Sequence, residues 1–347
     1  MPEHRPPRSP ARLAGLLITG ILVLFALLPP PLPASGQHHY TLATANTGGT
    51  YYPVGVALAT LTKVKLEPSR NIALNAVSSA GSAENIAMLR EGRAQFAILQ
   101  ALYGAWAWNG SGSLEREGPQ PYLRAVTMLW HNVEHFVIKS DFVKKGDMDD
   151  LAALRGRHFS LGQHNSGSAG SGLHILSQLG YSPHDDFTIA AIDYSSNATA
   201  IRDGVIDGMN IPGGPPVSAV GQAFAALGKD ITVLNFSDAQ LQAVNRDYPL
   251  WTRFAIPAGT YPGQDQPITT IAQPNFLAVH SDIDEEVVYL LVKTIYRNLP
   301  FLHIIHPATE AVSLEGAITG LPVPLHPGAA RFYREQGIDI PDQLIVP

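Results

Sequence analysis

Three short loops rich in glycine and serine each follow a β-like segment and lead into a helix-like one. They are Asn46-Thr47-Gly48-Gly49-Thr50, then Ser-Ser-Ala-Gly-Ser-Ala-Glu-Asn at residues 78–85, and Asn-Ser-Gly-Ser-Ala-Gly-Ser-Gly at 165–172. A turn of this kind points backbone N–H groups and the positive end of a helix at something negative. In open α/β sheets such loops lie at the carboxyl ends of the strands, where ligands bind. A chain that repeats the device three times is constrained to an α/β fold whose loops share one cleft.

The rest of the pattern agrees. Residues 40–45, 71–77 and 94–100 read as strands, with helices over 52–63 and 82–92 between them. Residues 123–139 alternate and are rich in valine, so they read as extended. A second α/β unit follows: a short helix at 150–156, a strand at 157–163, a loop at 164–172, a helix at 173–180 and a strand at 187–194. Then come a helix at 195–204, a strand at 205–211, the loop Pro-Gly-Gly-Pro-Pro at 212–216 and a helix at 217–228. From residue 248 the chain is rich in proline, and it ends in helices at 285–302 and 328–337. Two α/β units imply two lobes: residues 37–135 as the first part of lobe 1, 136–248 as lobe 2, and 249–347 returning to lobe 1.

Arg5, Arg8 and Arg12 precede or flank an apolar run at 13–28, and small residues follow it, the layout of a secretory signal. The run is shorter than the ~20 residues that span a bilayer. Cleavage after Gly36 is expected, giving a periplasmic protein; an uncleaved membrane anchor is the alternative. Cleavage would remove three Arg and one Glu, taking the formal charge from −6 to −8. An acidic chain without a basic block is a poor partner for nucleic acid. The absence of cysteine excludes a thiol nucleophile, a lipid-bearing cysteine and cysteine zinc sites.

The loops are not phosphate sites of the usual kinds. No Gly-Lys-Ser/Thr follows Gly48-Gly49, and no Gly-x-Gly-x-x-Gly is present there. A carboxylate needs the same donors on a smaller scale, with Thr47, Thr50 and Tyr51 as candidate hydroxyls. The plainer alternative is a tight turn, and Ser82 can equally be a helix cap. Around Ser166 the Gly-x-Ser-x-Gly elbow of a hydrolase is not formed, because Ser166 stands where its first glycine would be. His131-Asn132-Val133-Glu134-His135 matches a zinc-protease pattern, but on a strand residues four apart are separated by about 13 Å, too far for one metal. No metal and no cofactor are expected. Of the aromatic residues, Trp130 lies at the crossing between lobes and is a candidate for the cleft.

Taken together, Thr-Gly-Gly-Thr-Tyr-Tyr-Pro-Val-Gly-Val-Ala-Leu-Ala at 47–59, residues 79–100, 248–272 and 320–335 resemble the TAXI family. These are solute-binding subunits of tripartite ATP-independent periplasmic (TRAP) transporters. The resemblance covers nearly all of the mature chain. It implies a type II periplasmic binding protein, two-lobed and non-enzymatic. Such a protein captures a small carboxylate, typically glutamate or a 2-oxoglutarate-like diacid, and delivers it to the membrane permease subunits. It maps the family's ligand loop onto Gly48, Gly49, Thr50 and Tyr51, its strand-end glutamine onto Gln100, and its second-lobe loop onto Asn165, Ser166, Gly167 and Ser168. The chain departs from the family at Gln163-His164, at Trp130-His131-Asn132, and around 193–200 and 210–218. With Ser79, Ser82, Trp130, Tyr194 and Gly213 from the remaining cleft loops, these residues are the expected site. A monomer is expected. A sensory ligand-binding protein is the alternative function, and a secreted hydrolase a more distant one.

Overall fold

The computed structural model describes residues 38–346; the expected signal segment lies outside them. Among the described residues no helix is long and apolar enough to cross a membrane.

Eleven strands form two sheets among the described residues. In chain order they are β1 (His38–Ala43), β2 (Ile72–Val77), β3 (Phe96–Gln100), β4 (Leu123–Val133), β5 (Phe136–Lys139), β6 (His158–Ser160), β7 (Thr188–Ala190), β8 (Gly208–Asn210), β9 (Ile231–Val233), β10 (Thr252–Ile256) and β11 (Ile268–His280). The first sheet runs β10-β11-β3-β1-β2, with β4 also on β11; the second runs β7-β6-β8-β5-β9. Each sheet is the core of one lobe, so the molecule is a two-lobed α/β protein.

In the first lobe β1 pairs in parallel with both β2 and β3. Parallel neighbours need a crossover, and α1 (Tyr51–Lys65) and α2 (Ser82–Arg90) supply it. Val54, Leu58 and Leu61 repeat at helical spacing and are buried on one face of α1, as an amphipathic helix requires. β3 lies between β1 and β11 and is buried at every residue, which accounts for its unbroken Phe-Ala-Ile-Leu run. Burying a side chain such as Phe96 contributes about 1.5–3 kcal/mol. α3 (Ala101–Asn109) starts directly off β3. In the second lobe α4 (Gly167–Gln178), α5 (Tyr194–Arg202) and α6 (Ser218–Leu227) make the corresponding connections. Near the C-terminus α7 (Glu285–Arg297) and α8 (Pro327–Glu335) return to the first lobe.

The chain passes between sheets at Glu134-His135, and again between β9 and β10. The first crossing is pinned by paired hydrogen bonds. Val133 N–H donates to Gly213 O and Gly213 N–H to Val133 O, both at 3.0 Å, and Glu134 N–H donates to Ile271 O at 2.9 Å.

Several elements differ from the sequence reading. The loop expected at 164–172 is already helical from Gly167, because the Ser166 hydroxyl accepts the Ala169 N–H at 3.1 Å and caps α4. The strand expected through residue 194 stops at Ala190, since Asp193 caps α5 by accepting from Ser196 N–H at 3.2 Å. Residues 148–154 form a 3-10 rather than an α-helix. The proline-rich stretch contains β10 and β11. β11 carries Pro274 opposite His131, and its register shifts at Asn275/Phe276, so the proline sits beside an irregularity that tolerates a missing donor.

Candidate functional site

A cavity of about 40 Å³ lies between the lobes. Its walls are the loops singled out in the sequence. Gly49, Thr50 and Tyr51 come from the first, Ser82 from the second and Ser166, Gly167 and Ser168 from the third, joined by Gln100 and Tyr194. Ala45, Asn46, Ala80, Gly81, Asn132 and Pro212 also line it, though none was among the residues expected at the site. Asn132 was within reach: it follows Trp130 by two residues on one strand, and a strand's side chains repeat their face every second residue.

Five helices begin at this cavity. Tyr51, Ser82, Gly167 and Tyr194 are the first residues of α1, α2, α4 and α5, and Gln100 is the N-cap of α3. The first N–H groups of a helix have no intrahelical acceptor, and each helix presents the positive end of its dipole. No side chain lining the cavity carries a charge. The positive charge that the lining itself offers an anion comes from these backbone groups.

Three buried amide atoms face this region without partners. Asn132 is buried with neither Oδ1 nor Nδ2 bonded, and Gln100 Oε1 is likewise unbonded. Buried polar groups are otherwise almost always paired, so these amides mark places where a ligand or water completes the network.

The hydroxyls expected to face a ligand are largely committed to the protein. Thr50 Oγ1 donates to Gly214 O and accepts from Gly214 N–H, both at 3.1 Å. Tyr51 O–H donates to Asn275 Oδ1 at 2.6 Å, and Tyr194 O–H donates to Pro212 O at 2.8 Å. Burial raises the pKa of both tyrosines well above the usual value. Ser166 and Ser168 share one hydrogen bond at 3.0 Å, and Ser82 Oγ accepts from Gln100 N–H at 3.1 Å.

The glycines serve close approach of the lobes. A Cβ on Gly48 would meet Ser195 Oγ at 2.8 Å, and one on Gly49 the Tyr194 ring at 3.2 Å. From the other lobe, a Cβ on Gly167 would meet Ser82 Oγ at 2.8 Å and Gln100 Cδ at 3.0 Å. Without those atoms the lobes meet backbone to side chain. Ala219 N–H donates to Gly48 O at 3.3 Å, and Glu84 N–H to Asn165 O at 3.2 Å.

Five expected residues lie outside the cavity wall. Gly48 sits behind Gly49 against Ser195. Ser79 braces its own loop, donating to Thr44 O at 3.0 Å and accepting from Gly81 N–H at 3.0 Å. Trp130 is fully buried beneath the site, its ring edge-on to Tyr51 at 5.7 Å. Asn165 faces an outer cavity with Glu84, Arg90 and His164, and Gly213 belongs to the pinned crossing.

His131 to Val133 lie on β4, and Glu134 and His135 join it to β5, so the stretch is not helical. His135 Nδ1 donates to Val133 O at 2.9 Å, and Nε2 accepts the Tyr261 hydroxyl at 2.8 Å. Burial pushes its pKa down to about 4, so the ring is neutral with both nitrogens occupied. Among the described residues no group of three His, Asp or Glu side chains is placed to hold a metal ion.

The sequence profile of the NMT1-like family matches residues 42–337. Among solved structures, the chain is similar to MatC (Rpa3494) from Rhodopseudomonas palustris with bound malate. That match has a TM-score of 0.50 at 15% identity, covering 88% of this chain and 97% of that one. It is also similar to the periplasmic binding protein BugD, with a TM-score of 0.49 at 13% identity over 86% of this chain and 94% of that one. A third is the ligand-binding component of an ABC-type import system from Staphylococcus aureus with zinc bound. There the TM-score is 0.47 at 13% identity, over 90% and 97% of the two chains. At 15% identity the first likeness speaks to the fold alone.

Proposed function

Because the chain belongs to the NMT1-like family, we propose that it is an exported, monomeric solute-binding protein of the TAXI type. It works in the periplasm, captures a small carboxylate and passes it to a TRAP permease. The observation that carries the carboxylate is the meeting of five helix starts at one small cavity with no charged side chain. Each charge-assisted hydrogen bond is worth roughly 1.5–3 kcal/mol, and each helix end about 0.3–1 kcal/mol or more when partly buried. Two such bonds and several helix ends supply most of the ~8 kcal/mol of micromolar affinity.

The unpaired oxygens of Asn132 and Gln100 and the unpaired Asn132 Nδ2 favour further polar groups on the ligand, donors for the oxygens and an acceptor for the nitrogen. Glutamate, 2-oxoglutarate and malate are the first candidates: each carries two carboxylates, the glutamate ammonium and the malate hydroxyl also donate, and the 2-oxoglutarate keto group accepts only. A thermal-shift screen of these three against acetate tests the reading. Ligand at a hundred times its dissociation constant raises stability by about 2.7 kcal/mol. Acetate stabilising as strongly as the diacids, or no stabilisation by any of the four, would argue against it.

A further inference from the structure

Glu134 stands on the crossing between the lobes with no exposed surface. Its Oε2 accepts from Asn210 Nδ2, on the second sheet, at 2.8 Å. Its Oε1 accepts from the indole N–H of Trp251, where the second crossing rejoins the first lobe, at a long 3.4 Å. These donors and the Gln273 side chain, which also acts on the carboxyl, are neutral, and no lysine or arginine acts on it. A buried carboxylate without a cation is costly.

The ionisable groups around it bring no compensating charge. His135, next in the chain, is held neutral by Val133 and Tyr261. Tyr51 on α1 and Tyr194 on α5 are neutral phenols, and the charge of Glu134 is felt by both. His174 stacks on Trp251 with ring centroids 5.5 Å apart, and burial lowers its pKa. Tyr51 and Tyr194 are walls of the ligand cavity, one from each lobe, and Asn132, two residues before Glu134, is another. The carboxyl therefore lies within electrostatic reach of whatever the cavity holds.

We propose that Glu134 makes ligand capture proton-linked: when an anion occupies the cavity, the Glu134 carboxylate takes up one proton from solvent and gives it back on release. This rests on the reading of the ligand as a carboxylate. A second negative charge nearby favours the neutral form of a carboxyl, and binding that raises a group's pKa takes up protons and weakens as pH rises. Burial already pushes Glu134 up to about 7, against the hydrogen bonds it accepts, so a modest further rise acts in the neutral range. The site would then hold its ligand more tightly in mildly acidic surroundings.

Calorimetry with 2-oxoglutarate, malate and L-glutamate at pH 7.5, in phosphate and in Tris, reads the proton count from the difference in heats. The expected result is uptake of about half a proton per anion by the parent and none by Glu134→Gln. The parent's affinity should fall about tenfold between pH 6.5 and 8.5 while that of Glu134→Gln stays flat. Carboxyl NMR of the parent labelled at glutamate needs no variant. One glutamate should titrate near neutrality, and its midpoint should rise with bound anion. An anion that binds without proton uptake, or glutamates that all titrate below pH 5 with and without it, overturns this inference and leaves the solute-binding reading intact. Failure of all three anions to bind overturns that reading and this one together.

Discussion

The hydroxyl of Thr50, in the first lobe, both donates to and accepts from the backbone of Gly214, in the second, at 3.1 Å each way. A side chain expected to touch ligand instead joins the lobes above it. Thr50→Val keeps the shape, removes both bonds and leaves two buried backbone groups unpaired, at roughly 1–3 kcal/mol. That cost falls on the closed form, so calorimetry should show binding about tenfold weaker, near 1.4 kcal/mol. Thr50→Ser keeps the hydroxyl and should bind within about twofold of the parent. Equal losses in the two variants would mean that the methyl group matters and the clamp does not.

Gly49 faces the Tyr194 ring across the cleft, where a Cβ would lie 3.2 Å away. Valine there props the lobes apart and keeps the helix ends from meeting. Gly49→Val should weaken binding at least about a hundredfold, ~2.7 kcal/mol, with an unchanged circular dichroism spectrum. A folded variant that binds like the parent would reduce the loop to a plain turn.

Two crossings join the lobes, and the first is pinned where Val133 and Gly213 exchange hydrogen bonds at 3.0 Å. Hinge closure of the kind seen in periplasmic binding proteins should appear in solution scattering as a smaller radius of gyration at saturating ligand. Gly49→Val should stay near the open value. A radius that ignores ligand in the parent would count against a hinge.

Glu134 and His135 act on stability in opposite directions. The pKa of Glu134 rises on folding from about 4.3 to about 7, so the folded state binds more protons. Its stability is fully present below about pH 4.3 and is lost as pH rises through about 7. The pKa of His135 falls from about 6.5 to about 4, so its stability is present above about pH 6.5 and is lost as pH falls through about 4. The two slopes nearly cancel between about pH 4.5 and 6.5, so ligand-free protein should melt highest on that plateau and lower by about pH 8. Glu134→Gln should remove the decline above about pH 6.5 and, with nothing left to offset His135, extend the acid-side loss up to about pH 6.5. A parent whose melting temperature is constant from pH 6 to 8.5 would contradict the assignment.

Much of this could be read before any coordinates. Strand-to-helix loops rich in glycine and serine have few other uses, and all three arrive at the cavity. What stayed hidden was set by distant partners. Gln100 reads as the end of a strand, yet α3 starts directly after it; nothing in Ala-Leu-Tyr-Gly-Ala-Trp separates a buried helix from a buried strand. Thr50 looks like a ligand donor until Gly214, 164 positions away, takes its hydroxyl. Asp193 capping α5 moved Tyr194 from a strand to a helix start, and the prolines at 257–274 concealed the hairpin of β10 and β11.

In the proposed site, backbone N–H groups at converging helix ends hold a carboxylate. Amide NMR of the labelled protein, titrated with 2-oxoglutarate, malate and L-glutamate, reads those groups one by one. At least one of these anions should move the amide protons of Ser82, Gly167 and Tyr194 downfield together, with one dissociation constant for all three. Binding that leaves those amides unmoved, or no binding by any of the three, would show that the helix ends do not hold the ligand.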